Sequence, residues 1–369
     1  MTAVSGASAL PLADSPLGRT IALTATDIWN DSCAIDELEY ALSFGAVGAT
    51  ANPTIVVDVW RKEPAYWRDR VTELATERPE ATVAELAWAI VADMSIRGAK
   101  LLEPVFEAQR GKQGRLSVQT DPLAFRSPAR LVEQALGFAE LAPNIIVKLP
   151  ATHRGIEAIE AATYAGVSVN VTVSFTVAQA VAAAEAIERG LARRDAEGLP
   201  TDRMGPVVTL MMGRVEDWLQ VVVDRDRLTV DPDALPWAGV AVFKRAYSEF
   251  RARGFRARLL GAAIRHHYHW SEVIGGDVVL TLPSAWQRRF NASSVAVRPR
   301  IDDPVPPRAL DALRQLPEFI RAYEPDGLTV DEFDTYGATA RTLRTFIGSY
   351  QELVREVTDA LVPDPDRRR

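Results

Sequence analysis

The stretch NIIVKLPATHRGIEAIEAATYAGVSVNVTVSFTVAQA, residues 144–180, carries a strand–helix–strand–helix pattern. Its runs 144–149 and 168–174 are continuous, largely apolar and β-branched, and each is followed by a helix-forming stretch, 154–165 and 176–192. Continuous apolar strands separated by helices are typical of a parallel sheet that is buried on both faces.

The same alternation extends in both directions along the chain. The candidate strands are 20–25, 46–51, 115–121, 144–149, 168–174, 206–212, 256–262 and 277–282. Further helix-forming stretches lie at 35–44, 127–141 and 237–253. Eight strand–helix units in one row favour a closed (β/α)8 TIM barrel over an open, doubly wound sheet.

Two regions lie outside the simple repeat. Residues 53–112 are long enough for two or three extra helices between strands 2 and 3, and residues 306–361 form a C-terminal tail. The tail is predicted to carry a helix over 329–361 and to pack over the barrel. We therefore expect one domain over 19–362, with disordered tails at 1–18 and 363–369.

Composition limits the classes of partner. The net charge of −7 gives no electrostatic reason to bind nucleic acid or an anionic membrane. Any anionic substrate must then be held by a few cations inside a cleft. Cys33 is the only cysteine, so there is no internal disulfide, which fits a reducing compartment.

Neither a secretory signal nor an apolar run long enough to span a bilayer is present, so the sequence predicts a soluble cytoplasmic protein. No GxGxxG or GKS/T motif follows a strand, so no nucleotide cofactor is expected. A homodimer is the assembly that the sequence leaves open.

Active sites of TIM barrels are built at the carboxyl ends of the strands. The polar residues read at those ends are Thr24, Asp27, Asn52, Gln119, Lys148, Asn170, Thr172, Thr209, Arg214 and Arg265. Lys148 is unusual because the chain has five lysines and this one lies among apolar neighbours. It is either a strand-edge lysine whose ammonium reaches water, or a desolvated, neutral amine that attacks a carbonyl. The second interpretation is favoured, because burying an unpaired lysine is costly.

Several motifs in the correct order resemble the transaldolase family. The segment 144–180 is similar to its signature of a lysine on one strand and Asn-Thr on the next. GATANPT (48–54) resembles the family's TTNPS element, LMMGRVEDW (210–218) its strand-6 element, and LLGAAIRH (259–266) its MGASFRN element. The resemblance covers most of residues 20–285 and extends to the tail.

The resemblance implies a mechanism without a metal or organic cofactor. Lys148 would condense with the C2 carbonyl of a ketose phosphate, and the iminium would accept electrons as the C3–C4 bond breaks. The retained dihydroxyacetone unit would then attack an acceptor aldehyde. Asn52 and Asn170 would bind sugar hydroxyls, and Thr172 would hold a water. Thr209 is a further substrate-binding candidate. Arg214 and Arg265 match the family's phosphate-binding arginines, although most arginines form surface salt bridges.

Two proton-transfer positions depart from the family. Gln119 stands where transaldolases carry a glutamate that activates water, and an amide cannot accept that proton. Related fructose-6-phosphate aldolases use a glutamine there. In TATDI (24–28), Thr24 stands at the position of the family's acid/base aspartate. Asp27 is expected to be a turn or capping residue, although a turn could bring its carboxylate, or that of Asp31, inward.

Histidines give a weaker signal. His266, His267 and His269 are clustered, but no carboxylate or cysteine pattern completes a metal site, so none is predicted. His153 follows the lysine strand and is a candidate acid/base at the mouth of the site.

Three functions compete. The first is a Schiff-base transferase that moves a dihydroxyacetone unit between sugar phosphates. The second, favoured by Thr24 and Gln119, is a Schiff-base aldolase or a specialised carbon–carbon bond enzyme on a non-standard sugar phosphate. The third is a silent sugar-phosphate-binding barrel, which Lys148 argues against.

Overall fold

The structure is a computed structural model that describes residues 12–363 and 365–366. In this part of the chain, eight parallel strands close into one barrel in the order in which they occur in the sequence. The strands are β1 (Asp27–Asn30), β2 (Gly48–Thr50), β3 (Arg115–Gln119), β4 (Ile145–Pro150), β5 (Val169–Thr172), β6 (Val207–Met211), β7 (Arg258–Ala262) and β8 (Val278–Leu282). The predicted (β/α)8 TIM barrel is confirmed.

Helices surround the barrel. The α-helices of the described residues are α1 (Pro16–Leu23), α2 (Ile35–Ser43), α3 (Pro53–Lys62), α4 (Pro64–Glu77), α5 (Val83–Ala108), α6 (Pro128–Ala139), α7 (His153–Tyr164), α8 (Val177–Ala196), α9 (Met212–Asp226), α10 (Ala238–Arg253), α11 (Tyr268–Ser271), α12 (Ser284–Asn291), α13 (Pro307–Leu313), α14 (Pro317–Tyr323) and α15 (Gly337–Leu361). Short 3₁₀ helices lie at Leu12–Asp14, Pro122–Ala124, Leu235–Trp237 and Val330–Thr335. No helix among these residues is both long and apolar enough to cross a bilayer.

The first strand differs from the prediction. Residues 20–25 were expected to form it, but most of them belong to α1. Ser15 caps this helix by accepting a hydrogen bond from the Gly18 N–H at 3.3 Å, and Pro16 occupies the first helical position. This N-terminal helix signal outweighs the β-branched composition of TIALTA. Strand β1 is instead the following segment, DIWN.

The N-terminal tail was also predicted too long. Residues 12–18 were assigned to a disordered tail, yet α1 begins within them and Leu17 is fully buried. Residues 1–11 lie outside the described residues, as do 364 and 367–369 of the predicted C-terminal tail.

The extra helices are where the sequence predicted them. Region 53–112 contains the three helices α3, α4 and α5. The predicted helix over 329–361 is divided, because the extended backbone at Tyr336 separates a 3₁₀ helix from α15. α15 packs against α3, α4, α5 and α9, so the tail does cover one side of the barrel.

The barrel interior changes from apolar to polar along its axis. One apolar cluster inside the barrel is formed by Trp29, Ile146, Val207, Leu260, Ala262 and Val279. Gly48 leaves room for the indole of Trp29, because a Cβ at this glycine would come within 2.5 Å of the ring. Side chains two residues further along a strand point to the same side, nearer the carboxyl end. These polar positions are Asp31, Lys148, Thr209 and Thr281.

Candidate active site

Lys148 lies inside the barrel on β4, two residues beyond Ile146. It is only 4% exposed, and its Nζ donates a hydrogen bond to the Ala51 carbonyl at 3.3 Å. Burial disfavours the ammonium form and lowers the pKa of Lys148 to about 8, although the nearby Asp31 carboxylate opposes this shift. With this pKa, roughly a tenth of the amine is uncharged at pH 7 and able to act as a nucleophile.

Asp31 follows β1 directly and lies two residues beyond Trp29, on the inward side. Its Oδ1 accepts a hydrogen bond from Thr50 Oγ1 at 2.6 Å, and Thr50 Oγ1 is also 2.8 Å from Thr281 Oγ1. Burial raises the pKa of Asp31, while the charge of Lys148 acts in the opposite direction. A carboxyl group with a raised pKa beside a lysine amine is suited to proton transfer.

The predicted placement of Thr24 at the acid/base position is wrong, and Asp27 is not the turn or capping residue that the sequence predicts. Thr24 is the C-cap of α1 and donates a hydrogen bond to the Thr20 carbonyl at 2.6 Å. Asp27 is the first residue of β1, where it pairs with Arg258 Nη1 at 2.6 Å and accepts from Gln113 Nε2 at 2.9 Å. Both line a 670 Å³ cavity with residues that precede or begin the strands. This cavity is at the amino end of the barrel, away from Lys148.

Gln119 is the last residue of β3 and lies opposite Lys148 in the β3–β4 register. It is 5% exposed, and its Oε1 has no hydrogen-bond partner among the described residues. A buried acceptor without a partner is costly, so the site has an unmet demand for a donor such as water or a substrate hydroxyl.

Asn170 lies opposite Lys148 on the other side, in the β4–β5 register. Its Nδ2 donates to Ser117 Oγ at 3.0 Å, and its Oδ1 accepts from Thr209 Oγ1 at 2.7 Å. These bonds fix the amide plane, and each end of the amide retains one hydrogen-bonding position for a ligand. Gln119, Lys148 and Asn170 thus form one level across three neighbouring strands.

Thr172 ends β5, two residues above Asn170, and is 1% exposed. The next residue, Val173, has a φ of +53°, which is strained for a β-branched residue. The buried side chain of Gln179 supports this turn by donating to the carbonyls of Val173 at 3.1 Å and Ala151 at 3.0 Å. The turn takes the chain away from the barrel directly after Thr172.

Asn52 lies two residues beyond Thr50, where β2 leads into α3. It is the N-cap of α3, and its Oδ1 accepts from the backbone N–H groups of Thr54 at 2.9 Å and Ile55 at 3.1 Å. Its carbonyl oxygen is therefore used by the helix, and the Nδ2 group is the part of the side chain left to donate to a substrate.

The two arginines that match the phosphate motif lie beside each other. Arg214 is in the first turn of α9, where its Nη1 donates to Thr342 Oγ1 at 3.4 Å. Arg265 follows β7 and makes a two-point contact with Asp217, from Nε at 3.2 Å and from Nη2 at 2.7 Å. Burial lowers the pKa of Arg214, and the neighbouring charge of Arg265 acts in the same direction. Arg214 is therefore the less neutralised of the two.

The expectation that no carboxylate joins the histidine cluster is wrong. Glu216 on α9 contacts His269 Nε2 at 2.7 Å and His266 Nε2 at 3.0 Å, and the three potential ligand atoms lie within 4.8 Å of one another. However, His269 Nδ1 accepts the Arg265 backbone N–H at 3.2 Å. The neutral ring then carries its proton on Nε2, which faces Glu216 and has no lone pair for a metal. We interpret the cluster as a hydrogen-bonded brace for the loop after β7. His267 on this loop is exposed.

His153 begins α7 and faces a different segment from the one expected. Its Nδ1 lies 2.8 Å from an Asp331 carboxylate oxygen, and its backbone N–H donates to Asp334 at 2.7 Å. Both aspartates belong to the 3₁₀ helix before α15. His153 therefore joins α7 to the tail, and nothing in its contacts links it to Lys148.

Sequence reasoning underrated Asp31 and did not identify Glu216. If DIWN is taken as the first strand, Asp31 lies two residues after Trp29, and this spacing would have indicated that its side chain points into the barrel. Glu216 follows Arg214 by two residues in the same motif, but its pairing with two histidines depends on how α9 meets the loop after β7.

Comparison with known proteins agrees with this geometry. The sequence matches the family described as Transaldolase/Fructose-6-phosphate aldolase over residues 28–356. The transaldolase of Thiobacillus denitrificans is 30% identical over 338 residues, which cover 85% of this chain and 90% of that protein. Transaldolase 2 of Streptomyces avermitilis is 31% identical over 56% of this chain and 55% of that protein. The transaldolase of Thermobifida fusca is 34% identical over 46% of this chain and 46% of that protein. Because the family match spans most of the sequence, the chain belongs to the transaldolase/fructose-6-phosphate aldolase family.

Proposed function

We propose that Lys148 forms a Schiff base with a ketose phosphate and that Asp31 is the acid/base of the resulting carbon–carbon bond chemistry. Membership of the family supports a transaldolase-type transferase. The observation that carries the residue assignment is that the buried Lys148 and the half-buried Asp31 both lie on the inward side of the barrel, where Asp31 Oδ1 accepts from Thr50 Oγ1 at 2.6 Å and Lys148 Nζ donates to the Ala51 carbonyl at 3.3 Å. The lowered pKa of Lys148 and the raised pKa of Asp31 agree with this placement. The charge of each group shifts the pKa of the other, so the two groups lie close enough to act at one site.

In the proposed reaction, the Lys148 amine adds to the C2 carbonyl of the donor, and loss of water gives an iminium. The C4 hydroxyl proton passes to Asp31 while the C3–C4 bond breaks, and its electron pair enters the iminium to give an enamine. The C4 fragment leaves as an aldose. The enamine then attacks an acceptor aldehyde, whose oxygen takes the proton back from Asp31. Addition of water to the new iminium frees the ketose product and regenerates the Lys148 amine.

Gln119 and Thr172 are proposed to hold the water that leaves and re-enters at the imine. The unpartnered Oε1 of Gln119 supports this role, because a water there would satisfy a buried acceptor. The water's proton must be taken by another group, since an amide is not a base. Asp31, the proposed acid/base, is the carboxylate suited to accept this proton.

Substrate binding is proposed to use amides at the sugar and cations at the phosphate. Nδ2 of Asn52 and the two ends of the Asn170 amide would bind hydroxyls, with Thr209 holding Asn170 in position. Arg214 and Arg265 would bind the phosphate, and Asp217 would keep Arg265 oriented. A planar guanidinium presents paired donors that suit a phosphate dianion.

Borohydride trapping tests the proposal directly. Fructose 6-phosphate and sodium borohydride should add one reduced sugar, or one reduced dihydroxyacetone unit, to the intact mass of the protein. The Lys148→Arg variant should give no adduct. Lys100→Arg, which changes an exposed lysine on α5, is the matched control and should be labelled as the native protein is. An adduct of the same mass on Lys148→Arg would overturn the assignment.

A second candidate activity is simple aldol cleavage, which the amide at Gln119 favours because related fructose-6-phosphate aldolases carry a glutamine at this position. Parallel assays would separate the two. Transfer produces a new ketose phosphate only when an acceptor aldehyde is present, whereas cleavage releases free dihydroxyacetone without one. We expect transfer to dominate, and faster release of dihydroxyacetone than transfer at saturating acceptor would favour the aldolase instead.

A further inference from the structure

A second cationic surface adjoins the proposed phosphate site. A cavity of about 380 Å³ opens between α9 and α15, beside Arg214. Its lining residues are Arg214, Asp217, Ala338, Arg341, Thr342, Arg344 and Thr345. This volume lies within the range of small-molecule sites. Arg214 belongs both to this cavity and to the proposed phosphate site, so the two are continuous.

The cavity carries an excess of positive charge. It is lined by three arginines and by one carboxylate, that of Asp217. Asp217 is already engaged by Arg265 through two contacts. The guanidinium groups of Arg341 and Arg344 are exposed and form no hydrogen bond or ion pair with the residues that the structure describes. Like charges that converge in a concave surface without counter-charges favour an anionic ligand.

The C-terminal helix holds this arrangement in place. Arg341 and Arg344 are three residues apart on α15, so their side chains share one face. Between them, Thr342 is 1% exposed and accepts the hydrogen bond from Arg214 Nη1. The guanidinium of Arg214 also lies 5.7 Å from the ring centroid of Phe346 on the same helix. α15 therefore positions Arg214 and adds two further cations beside it.

Arg214 senses these neighbours. Its pKa is lowered first by burial and then by the charge of Arg265, and Arg341 acts in the same direction. Asp217 and Asp31 oppose the shift only in part. A phosphate dianion bound among the three arginines would relieve both the repulsion and the desolvation, because each guanidinium would gain a charged acceptor.

We infer that Arg341 and Arg344, together with Arg214, bind the phosphate group of the substrate, so that the C-terminal helix determines selectivity for phosphorylated sugars. This inference rests on the proposed function and extends its phosphate site beyond Arg214 and Arg265. It assigns the tail a part in substrate recognition as well as in covering the barrel.

The test is a double variant, Arg341→Gln/Arg344→Gln, in the full-length protein. Its matched control is Arg355→Gln, which removes an exposed arginine further along α15. Titration calorimetry with inorganic phosphate should show affinity reduced by about 10- to 100-fold in the double variant, the loss expected for charge-assisted contacts. The control should bind phosphate as the native protein does.

Steady-state kinetics supply the second measurement. For fructose 6-phosphate, the double variant should raise KM by about 10-fold or more with kcat little changed, because the contact is made equally in ground and transition states. For unphosphorylated fructose or dihydroxyacetone, neither parameter should change. A charge-retaining variant, Arg341→Lys/Arg344→Lys, should recover most of the phosphate affinity.

The outcomes separate this inference from the proposed function. Borohydride trapping with dihydroxyacetone requires no phosphate and reports on Lys148 alone. If trapping fails but phosphate affinity still depends on the two arginines, the proposed chemistry is wrong and the anion site stands. Unchanged phosphate affinity and KM in the double variant would overturn the inference, as would equal losses for phosphorylated and unphosphorylated substrates.

Discussion

Two aspartates with different surroundings lie at the two ends of strand β1, one at its start and one directly after it. Asp27 begins the strand and is neutralised by Arg258, whereas Asp31 follows it and faces Lys148. Both are an even number of residues from Trp29, so both point toward the barrel axis. At about 3.3 Å per residue they are roughly 13 Å apart. The role of each carboxylate depends on the end of the strand at which it lies and on the cation beside it.

The cations at the two ends differ in what they do to a carboxylate. A guanidinium remains charged at all ordinary pH values, so Asp27 always faces a positive charge at Arg258. The amine of Lys148 has a pKa of about 8, so it loses its charge as the pH rises through about 8 and is partly neutral at pH 7. Asp31 therefore faces a partner that can be neutral, and its own pKa is raised by burial. The surroundings of Asp27 favour stability, and those of Asp31 suit the proton transfer that we propose for it.

The largest expected effect is that of Asp31→Asn. The amide keeps the size of the side chain and can still accept the hydrogen bond from Thr50, but it cannot take the C4 hydroxyl proton. We expect kcat for transfer to fall by about 100- to 10,000-fold, the usual value of general acid–base assistance. The Lys148 adduct should still form under borohydride. A kcat within about threefold of the native value would show that Asp31 is not the acid/base.

Asp27→Asn should have the opposite effect to Asp31→Asn: it should lower the stability of the protein and leave kcat unchanged. The Asp27 side chain is 10% exposed and that of Arg258 is 28% exposed, so the pair is less buried than a core ion pair. We expect the free energy of unfolding to fall by about 2 kcal/mol, below the loss typical of fully buried pairs. Denaturant unfolding measures it.

Asp277→Asn is the control for this second prediction. Asp277 contacts the same arginine, Arg258, at 2.7 Å, but its side chain is 71% exposed. Its loss should cost less than about 1 kcal/mol, since exposed ion pairs contribute little. Equal losses for the two variants would mean that the burial of Asp27 is not what makes its pair important.

The pH dependence of imine trapping at Lys148 should respond to the loss of Asp31 but not to the loss of Asp27. In the native protein, the trapping rate should rise with pH up to about 8 and fall by as much as tenfold per unit below it, because only the neutral amine attacks the carbonyl. The charge of Asp31 raises the pKa of Lys148, so Asp31→Asn should move the midpoint to lower pH. Asp27→Asn should leave it unchanged. An upward or absent shift in Asp31→Asn would contradict the coupling.

Much of the fold and part of the candidate site could be predicted because their signals are local. The seven later strands are apolar runs flanked by helices. Gln119, Lys148 and Asn170 lie within three of these runs, at positions that the alternation of side chains along a strand turns toward the barrel interior. The first strand failed because TIALTA has strand-like composition, whereas Ser15 and Pro16 begin a helix there. That shift moves the proposed acid/base from Thr24 to Asp31. The pairing of Glu216 with two histidines and the approach of α15 to Arg214 depend on tertiary packing, which no local pattern encodes.

The smallest expected effect is that of Thr24→Asp, and it tests whether the catalytic end of the barrel has been identified correctly. If Thr24 occupied the family's acid/base position, a carboxylate there should raise transfer by a factor comparable to the loss in Asp31→Asn. In the structure Thr24 ends α1, its hydroxyl donates to the Thr20 carbonyl, and it shares a cavity with Asp27 at the amino end of the barrel. A carboxylate at this helix C-terminus loses the donated bond and meets unfavourable backbone dipoles, which should cost about 0.5–1 kcal/mol of stability. Thr24→Asn isolates the charge from the change in shape. Both variants should keep kcat and kcat/KM within about twofold of the native values, because no proton of the reaction passes through this end. A 100-fold gain in transfer by Thr24→Asp, but not by Thr24→Asn, would show instead that position 24 lies next to the C4 hydroxyl. In that case β1 would have to run through residues 20–25.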